Sequence, residues 1–132
     1  MRAVLDPNIL ISALLSASGP PGQAVARWLA GEFELIVSEP LLLELEEALA
    51  YPKLRKRVTE DEASAFQGLL RREAVVAPEP QAGSHHADDP DDDYLLALAE
   101  AERAVLVTGD EHLLGLSDEL PILTARAFVD EL

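Results

Sequence analysis

Short, continuous apolar runs alternate with segments of helical periodicity along the 132-residue chain. Such runs suit parallel strands that are buried on both faces. The alternation therefore predicts an α/β fold, a three-layer α/β/α domain with a central parallel sheet, and we expect one domain over residues 1–132. Strands are predicted at 2–6, 33–37, 74–77, 104–110 and 121–124. Helices are predicted at 8–17, 23–32, 39–50, 60–74, 92–102, 112–116 and 125–132.

Composition excludes several classes of protein. Hydrophobic residues make up 48% of the chain, which is typical of a folded domain and not of a disordered one. No apolar run approaches the roughly 18 residues of a membrane span, so we expect no membrane association. The absence of cysteine excludes disulfides and thiolate zinc sites, and fits a cytoplasmic protein. The net charge of −15 argues against a protein that coats nucleic acid non-specifically.

Two acids directly follow predicted strands. Asp6 ends the run "RAVLD" and Asp110 ends the run "AVLVTGD". In open parallel sheets, ligands bind beyond the carboxyl ends of the strands. Asp6 and Asp110 are therefore candidate site residues. A phosphatase of the haloacid dehalogenase type would need a second Asp two residues after the first, where this chain has Asn8.

Glu44 lies at the border of the apolar face of the predicted helix 39–50. Leu41, Leu45 and Ala48 share that face at helical spacing, whereas Glu47 points further away. Glu44 is either a solvated acid that reaches outward or a carboxylate held beside the core. The residues alone leave both readings open.

Five aspartates at 88–93 precede an apolar helical run. One or two acids would satisfy the free N–H groups and the dipole of a helix N-terminus, and a solvated loop is another reading. The surplus of charge favours a cation site. An EF-hand calcium loop is excluded, because Tyr94 replaces the required glycine and the following residues predict a helix.

The basic residues are concentrated in one segment. Four of the ten Lys and Arg residues lie within five positions: Lys53, Arg55, Lys56 and Arg57. The segment is either a solvated connector or a rim that contacts phosphates.

Four stretches resemble the four motifs of PIN-domain ribonucleases, in the same order and over nearly the whole chain. They are "VLDPNILISALL", "LLLELEEAL", "DPDDDYLLALA" and "LVTGDEHLL". The chain is most similar to the bacterial and archaeal branch of VapC-like toxins from toxin–antitoxin pairs. The resemblance implies a ribonuclease that depends on Mg²⁺ or Mn²⁺ and hydrolyses RNA phosphodiester bonds. It also implies an antitoxin protein as a possible partner and a homodimer.

The resemblance also assigns roles to individual residues. Asp6, Glu44 and Asp110 match the first, second and fourth catalytic and metal-binding acids. For the third acid, Asp93 is preferred and Asp92 is the alternative ligand. In this interpretation the basic segment guides RNA toward the acids. The alternative function is a non-catalytic PIN-fold module that binds nucleic acid or another protein.

Two further positions match supporting residues of the family, Asn8 in the first motif and Thr108 in the fourth. Asn8 is expected to hold the first acid or the turn after the strand. Pro7 departs from the pattern, because the family usually has Thr or Ser there. A hydroxyl and a backbone N–H beside Asp6 are therefore missing from the first motif.

Overall fold

The computed structural model describes residues 1–80 and 92–132. Its five described strands are β1 Arg2–Leu5, β2 Glu34–Val37, β3 Val75–Val76, β4 Val105–Val107 and β5 Ile122–Leu123. They form a single parallel sheet in the order β3-β2-β1-β4-β5. β1 lies at the centre, where Leu5 pairs with Val107 of β4.

The described helices enclose the sheet, which confirms the α/β/α architecture. They are α1 Pro7–Leu15, α2 Pro20–Leu29, α3 Glu39–Leu49, α4 Pro52–Arg55, α5 Glu60–Glu73, α6 Asp93–Ala101, α7 Glu111–Leu114 and α8 Ala125–Glu131. The short helix α4 was not among the predicted helices, although it begins at Pro52. Proline is favoured in the first turn of a helix. For the same reason α2 begins at Pro20 and not at residue 23.

The core lies on both faces of the central strand. Ala3, Val4 and Leu5 of β1 are fully buried, as a parallel strand between two helical layers requires. Trp28 at the end of α2 is buried too. Phe33 and Phe128 meet edge to face with ring centroids 4.9 Å apart, and this contact ties α8 to the start of β2.

Polar caps fix where helices α3 and α5 begin. The Ser38 hydroxyl accepts the N–H of Leu41 at 3.4 Å. The Thr59 hydroxyl accepts the N–H of Glu62 at 3.1 Å, and the Glu62 carboxylate accepts the N–H of Thr59 at 3.0 Å. These contacts are an N-cap and a capping box, each of which stabilises a helix start by about 1 kcal/mol.

Helices α1 and α2 pack closely across the turn at residues 16–19. No described helix alone is long and apolar enough to cross a membrane, and these two reach that length only together, with a bend of 96°.

Gly22 in the first turn of α2 lies directly against the backbone of Ala17. A β-carbon at Gly22 would stand 2.4 Å from the Ala17 carbonyl oxygen. The close approach therefore requires glycine.

Gly22→Ala is expected to destabilise the fold by about 1–3 kcal/mol, the usual cost of overpacking, although alanine is the better helix former. Gly109→Ala is the matched control, because a β-carbon there meets no atom within 4 Å. Thermal unfolding followed by circular dichroism measures both. Equal melting temperatures for the two variants would contradict this account of the helix contact.

Candidate functional site

Two neighbouring strands at the centre of the sheet end beside each other in acidic residues. Asp6 directly follows β1, and Asp110 lies three residues after β4. The backbone N–H of Asp6 donates to the carbonyl oxygen of Val107 at 3.0 Å, which extends the pairing of the two strands by one bond. The position of Asp6 is therefore fixed by the sheet itself.

Each of these acids also caps the helix that follows it. The Asp6 Oδ1 atom accepts the backbone N–H of Asn8 at 3.0 Å, at the start of α1. The Asp110 Oδ1 atom accepts the N–H of His112 at 2.8 Å, at the start of α7. Asn8 thus contacts Asp6 through its main chain, while its own side chain is exposed. Pro7 occupies the first position of α1, where a missing N–H costs no helical hydrogen bond.

Thr108 joins the two acids. Its hydroxyl is fully buried and donates to the Asp6 Oδ2 atom at 2.8 Å. The same hydroxyl oxygen accepts the backbone N–H of Asp110 at 3.1 Å. A hydroxyl therefore does lie beside Asp6, and it is supplied by the fourth motif although Pro7 has removed it from the first.

The Asp6 carboxyl is one of the few polar groups in the described core, with 5% of the residue exposed. Burial raises its pKa, the Asn8 N–H and the Thr108 hydroxyl lower it, and the charge of Asp110 raises it again. The net direction is upward. A nearby cation would oppose both causes of this increase, because it favours the ionised carboxylate.

Tyr94, in the first turn of α6, brings the second and third motifs to the same place. Burial raises the pKa of its phenol most, followed by the charges of Glu44 and Asp6, a side-chain interaction with Glu44, and the charge of Asp92. The Tyr94 hydroxyl is buried and lies within electrostatic range of the Glu44 carboxylate. Glu44 is half-buried and Glu47 is exposed, as the helical spacing predicted.

Sequence reasoning missed Tyr94, which we considered only as a residue that disrupts a calcium loop. Two signals were available. The residue is aromatic at the start of a predicted helix, and it directly follows the aspartate run. Neither signal shows that Glu44, 50 positions earlier, lies within range of the same hydroxyl.

The candidate ligand atoms are of the type that a hard divalent cation prefers, because all of them are carboxylate oxygens. Within residues 1–80 and 92–132, however, no three acidic or imidazole side chains form a group that could hold one ion. Asp88, Asp89 and Asp91 of the acidic run lie outside the described residues. Asp92 and Asp93 are described, as the residue that precedes α6 and the first residue of that helix.

The structure divides the predicted basic segment into two parts. Lys53, Lys56 and Arg57 are exposed on and after α4. Arg55 is half-buried, and its Nη1 atom is buried without a hydrogen-bond partner among the described residues. Arg55 lines a cleft of about 290 Å³ between α3 and α5. The three exposed cations are therefore available to a phosphate backbone, whereas Arg55 belongs to the packing of α4.

Comparisons with known proteins agree with this geometry. An uncharacterized protein of Methanocaldococcus jannaschii is 28% identical over 99% of this chain and 91% of its own length. The crystal structure of VapBC2 from Rickettsia felis bound to a DNA fragment from their promoter matches with a TM-score of 0.63 and 17% identity, over 93% of this chain and 97% of that chain. FitAcB from Neisseria gonorrhoeae matches with a TM-score of 0.57 and 17% identity, over 94% of this chain and 98% of that chain. At these identities the two structures establish the fold. The family model for the PIN domain matches residues 2–112, and the chain therefore belongs to the PIN-domain family.

Proposed function

We propose that this protein is a divalent-metal-dependent endoribonuclease that acts as the toxin of a toxin–antitoxin pair. The observation that carries the proposal is the pairing of Asp6 and Asp110 at the carboxyl ends of β1 and β4, joined through the Thr108 hydroxyl. Members of the PIN family are generally nucleases that use divalent metals. The upward shift in the pKa of Asp6 supports a cation site, since a cation would stabilise the buried carboxylate.

Each group of residues at the site has its own task. Asp6 and Asp110 are the main candidates to hold Mg²⁺ or Mn²⁺, and Glu44 and Asp92 would complete the site only if their side chains moved closer than they lie in this structure. When bound, the cation supplies positive charge to the scissile phosphate and makes water more acidic. The Thr108 hydroxyl and the Asn8 N–H orient both oxygens of Asp6, so this carboxylate is positioned before a ligand binds. The expected products carry a 5′-phosphate and a 3′-hydroxyl.

For the third acid we now favour Asp92 over Asp93. The charge of Asp92 acts on the Tyr94 hydroxyl together with the charges of Glu44 and Asp6, which places Asp92 on the side of α6 that faces the other acids. Sequence matching alone favoured Asp93, because it directly precedes the apolar part of the helix. The cleavage rates of the Asp92→Asn and Asp93→Asn variants decide between the two assignments.

An antitoxin partner is supported by the two structural neighbours, VapBC2 and FitAcB. Homodimerisation and a cytoplasmic location remain predictions from the sequence. Co-expression with the product of the adjacent gene, followed by co-purification, tests the partner. Recovery of the chain alone, with unchanged nuclease activity, would contradict the toxin assignment.

Incubation of the purified protein with labelled single-stranded RNA, and with DNA of the same sequence, tests the reaction. We expect RNA to be cleaved with Mg²⁺ or Mn²⁺ and to stay intact with a chelator. RNA that is bound but not cleaved in any metal would instead support the non-catalytic binding module. Cleavage of DNA alone would overturn the substrate assignment.

Replacing Lys53, Lys56 and Arg57 together by Gln is expected to weaken RNA binding. Each lost contact to single-stranded RNA lowers the slope of log affinity against log salt by about 0.7, so three contacts lower it by about 2. The rate of cleavage at saturating RNA should change little. Fluorescence anisotropy over a range of salt concentrations measures the slope, and single-turnover cleavage measures the chemistry.

A second triple variant is the matched control for charge. Arg72, Arg103 and Arg126 are also exposed, and their replacement by Gln removes the same net charge from other surfaces. If both triple variants weaken binding equally, the effect comes from net charge, and the basic segment is a solvated connector. Arg55 is left unchanged in both variants, because it is half-buried and its replacement would also change the packing beside α4.

A further inference from the structure

A second concave surface opens at the amino-terminal ends of the strands, whereas the candidate site lies at their carboxyl ends. It is a cleft of about 650 Å³ where β2 and β3 begin, walled by the ends of α2 and α5 and by the turn at residues 31–33. The site residues Asp6 and Asp110 follow the carboxyl ends of the strands. The length of β1 alone, about 13 Å, separates those ends from the cleft. The cleft is therefore separate from the candidate nuclease site.

The cleft has an apolar lining that reaches the surface. Leu29 is 54% exposed and Val75 is 37% exposed, although both are large hydrophobic residues. Trp28 and Leu69 line the cleft beside them. Of the six large hydrophobic residues that are exposed in the described parts of the chain, three line this one cleft: Met1, Leu29 and Val75. Concentrated apolar exposure of this kind marks a surface that binds a partner.

Carboxylates surround this apolar lining. Glu32, Glu34 and Glu73 all line the cleft. Glu32 forms an ion pair with Arg27, with the Nη2 and Oε1 atoms 2.6 Å apart. Glu34 and Glu73 form no ion pair within the described part of the chain. The edge of the cleft therefore carries uncompensated negative charge.

We propose that this cleft docks a basic amphipathic segment of a partner protein. Large apolar side chains of that segment would cover Leu29 and Val75, while its Lys or Arg residues would face Glu34 and Glu73. The charge distribution argues against other occupants. Phosphates of RNA or of an anionic membrane would be repelled, and a second copy of this chain that bound through the same cleft would place the same carboxylates opposite each other.

A designed peptide tests the proposal. The probe is a helical peptide of about 16 residues with Leu on one face and Lys on its flanks, without Trp or Tyr. The chain has a single tryptophan, Trp28, and it lines the cleft, so its fluorescence reports binding there directly. We expect saturable binding of this peptide. A peptide of the same composition with scrambled order, and one with Glu in place of Lys, should each bind at least tenfold more weakly.

Variants of the protein locate the binding site. Leu29→Ser, and the double variant Glu34→Gln with Glu73→Gln, are each expected to weaken peptide binding at least tenfold. Leu43→Ser is the matched control, because Leu43 is also 54% exposed but lies on α3 and does not line the cleft. RNA cleavage should be unchanged in all of these variants, so failure here is distinguishable from failure of the nuclease proposal.

Three results would overturn the docking proposal. The first is equal loss of binding in Leu29→Ser and Leu43→Ser, which would mean general adhesion to apolar surface. The second is equal binding of the Lys and Glu peptides, which would remove the role of the carboxylates. The third is self-association of the chain that disappears in Leu29→Ser, which would make a second copy the occupant.

Discussion

Asp6→Asn and Asp110→Asn are each expected to lower metal-dependent RNA cleavage by more than about 100-fold while the fold is retained. Loss of a group that merely orients a metal ligand already costs about 10–100-fold, and these changes remove a charged ligand itself. Asn preserves the shape and can still accept the N–H bonds that Asp6 and Asp110 receive. Initial rates with labelled RNA in Mg²⁺ and in Mn²⁺ measure the loss, and circular dichroism verifies the fold.

The same assay decides between the alternatives at the other two motifs. Asp92→Asn should resemble Asp6→Asn, and Asp93→Asn should retain most activity, if the charges around Tyr94 mark the site. Glu44→Gln should lower the rate, whereas Glu47→Gln, an exposed acid of the same helix, should not. If the Asp6→Asn, Asp92→Asn and Asp110→Asn variants all cleave RNA at the parent rate, the catalytic residues lie elsewhere in the protein.

Millimolar Mg²⁺ or Mn²⁺ should raise the melting temperature of the chelated protein. A ligand that binds only the folded state contributes about 2.7 kcal/mol at a hundredfold excess over its Kd. For a chain of this length that corresponds to roughly 10 °C. Differential scanning fluorimetry measures the shift, with NaCl at matched ionic strength as the control. Equal shifts in both salts would mean that the ions only screen repulsion.

Asp6→Asn supplies the second control for this measurement, and it should abolish the metal-induced shift. Without metal, the variant should melt above the parent at neutral pH. Burial and Asp110 raise the folded-state pKa of Asp6, so the folded state binds the proton more tightly than the unfolded state does. The stability from that proton is present below the unfolded pKa and is lost as pH rises through the folded pKa. If the metal-free variant melts at a lower temperature than the parent at neutral pH, the upward direction of the Asp6 pKa shift is contradicted.

The strand and helix order was predictable because the buried strands are continuous apolar runs and the caps are local. Asp6 and Asp110 were identified for a similar reason, since the end of a parallel strand can be read from the chain itself. Ser38 and Thr59 fixed their helices through contacts only three residues away. These features depend on spacing along the chain, which a sequence contains.

Contacts between distant segments were not predictable in the same way. Thr108 and Asp6 are 102 positions apart, and nothing local shows that the hydroxyl missing at Pro7 is replaced by one from the fourth motif. Helix α4 was missed because proline both ends and begins helices. Which of Asp92 and Asp93 faces the other acids depends on the rotation of α6 about its own axis. A run of identical aspartates gives no sequence signal for that rotation.

The hydrogen bond from the Asp6 amide to the Val107 carbonyl has a consequence for how this protein would lose activity on heating. That amide extends the buried, central strand pair β1–β4, so its exchange with deuterium should require opening of the sheet. Asp6 is then not expected to loosen separately from the sheet. Inactivation by heat should coincide with global unfolding, and no locally unfolded form with low activity should precede it. Hydrogen exchange at Asp6 that is much faster than at Val4 would show that the two events are separable.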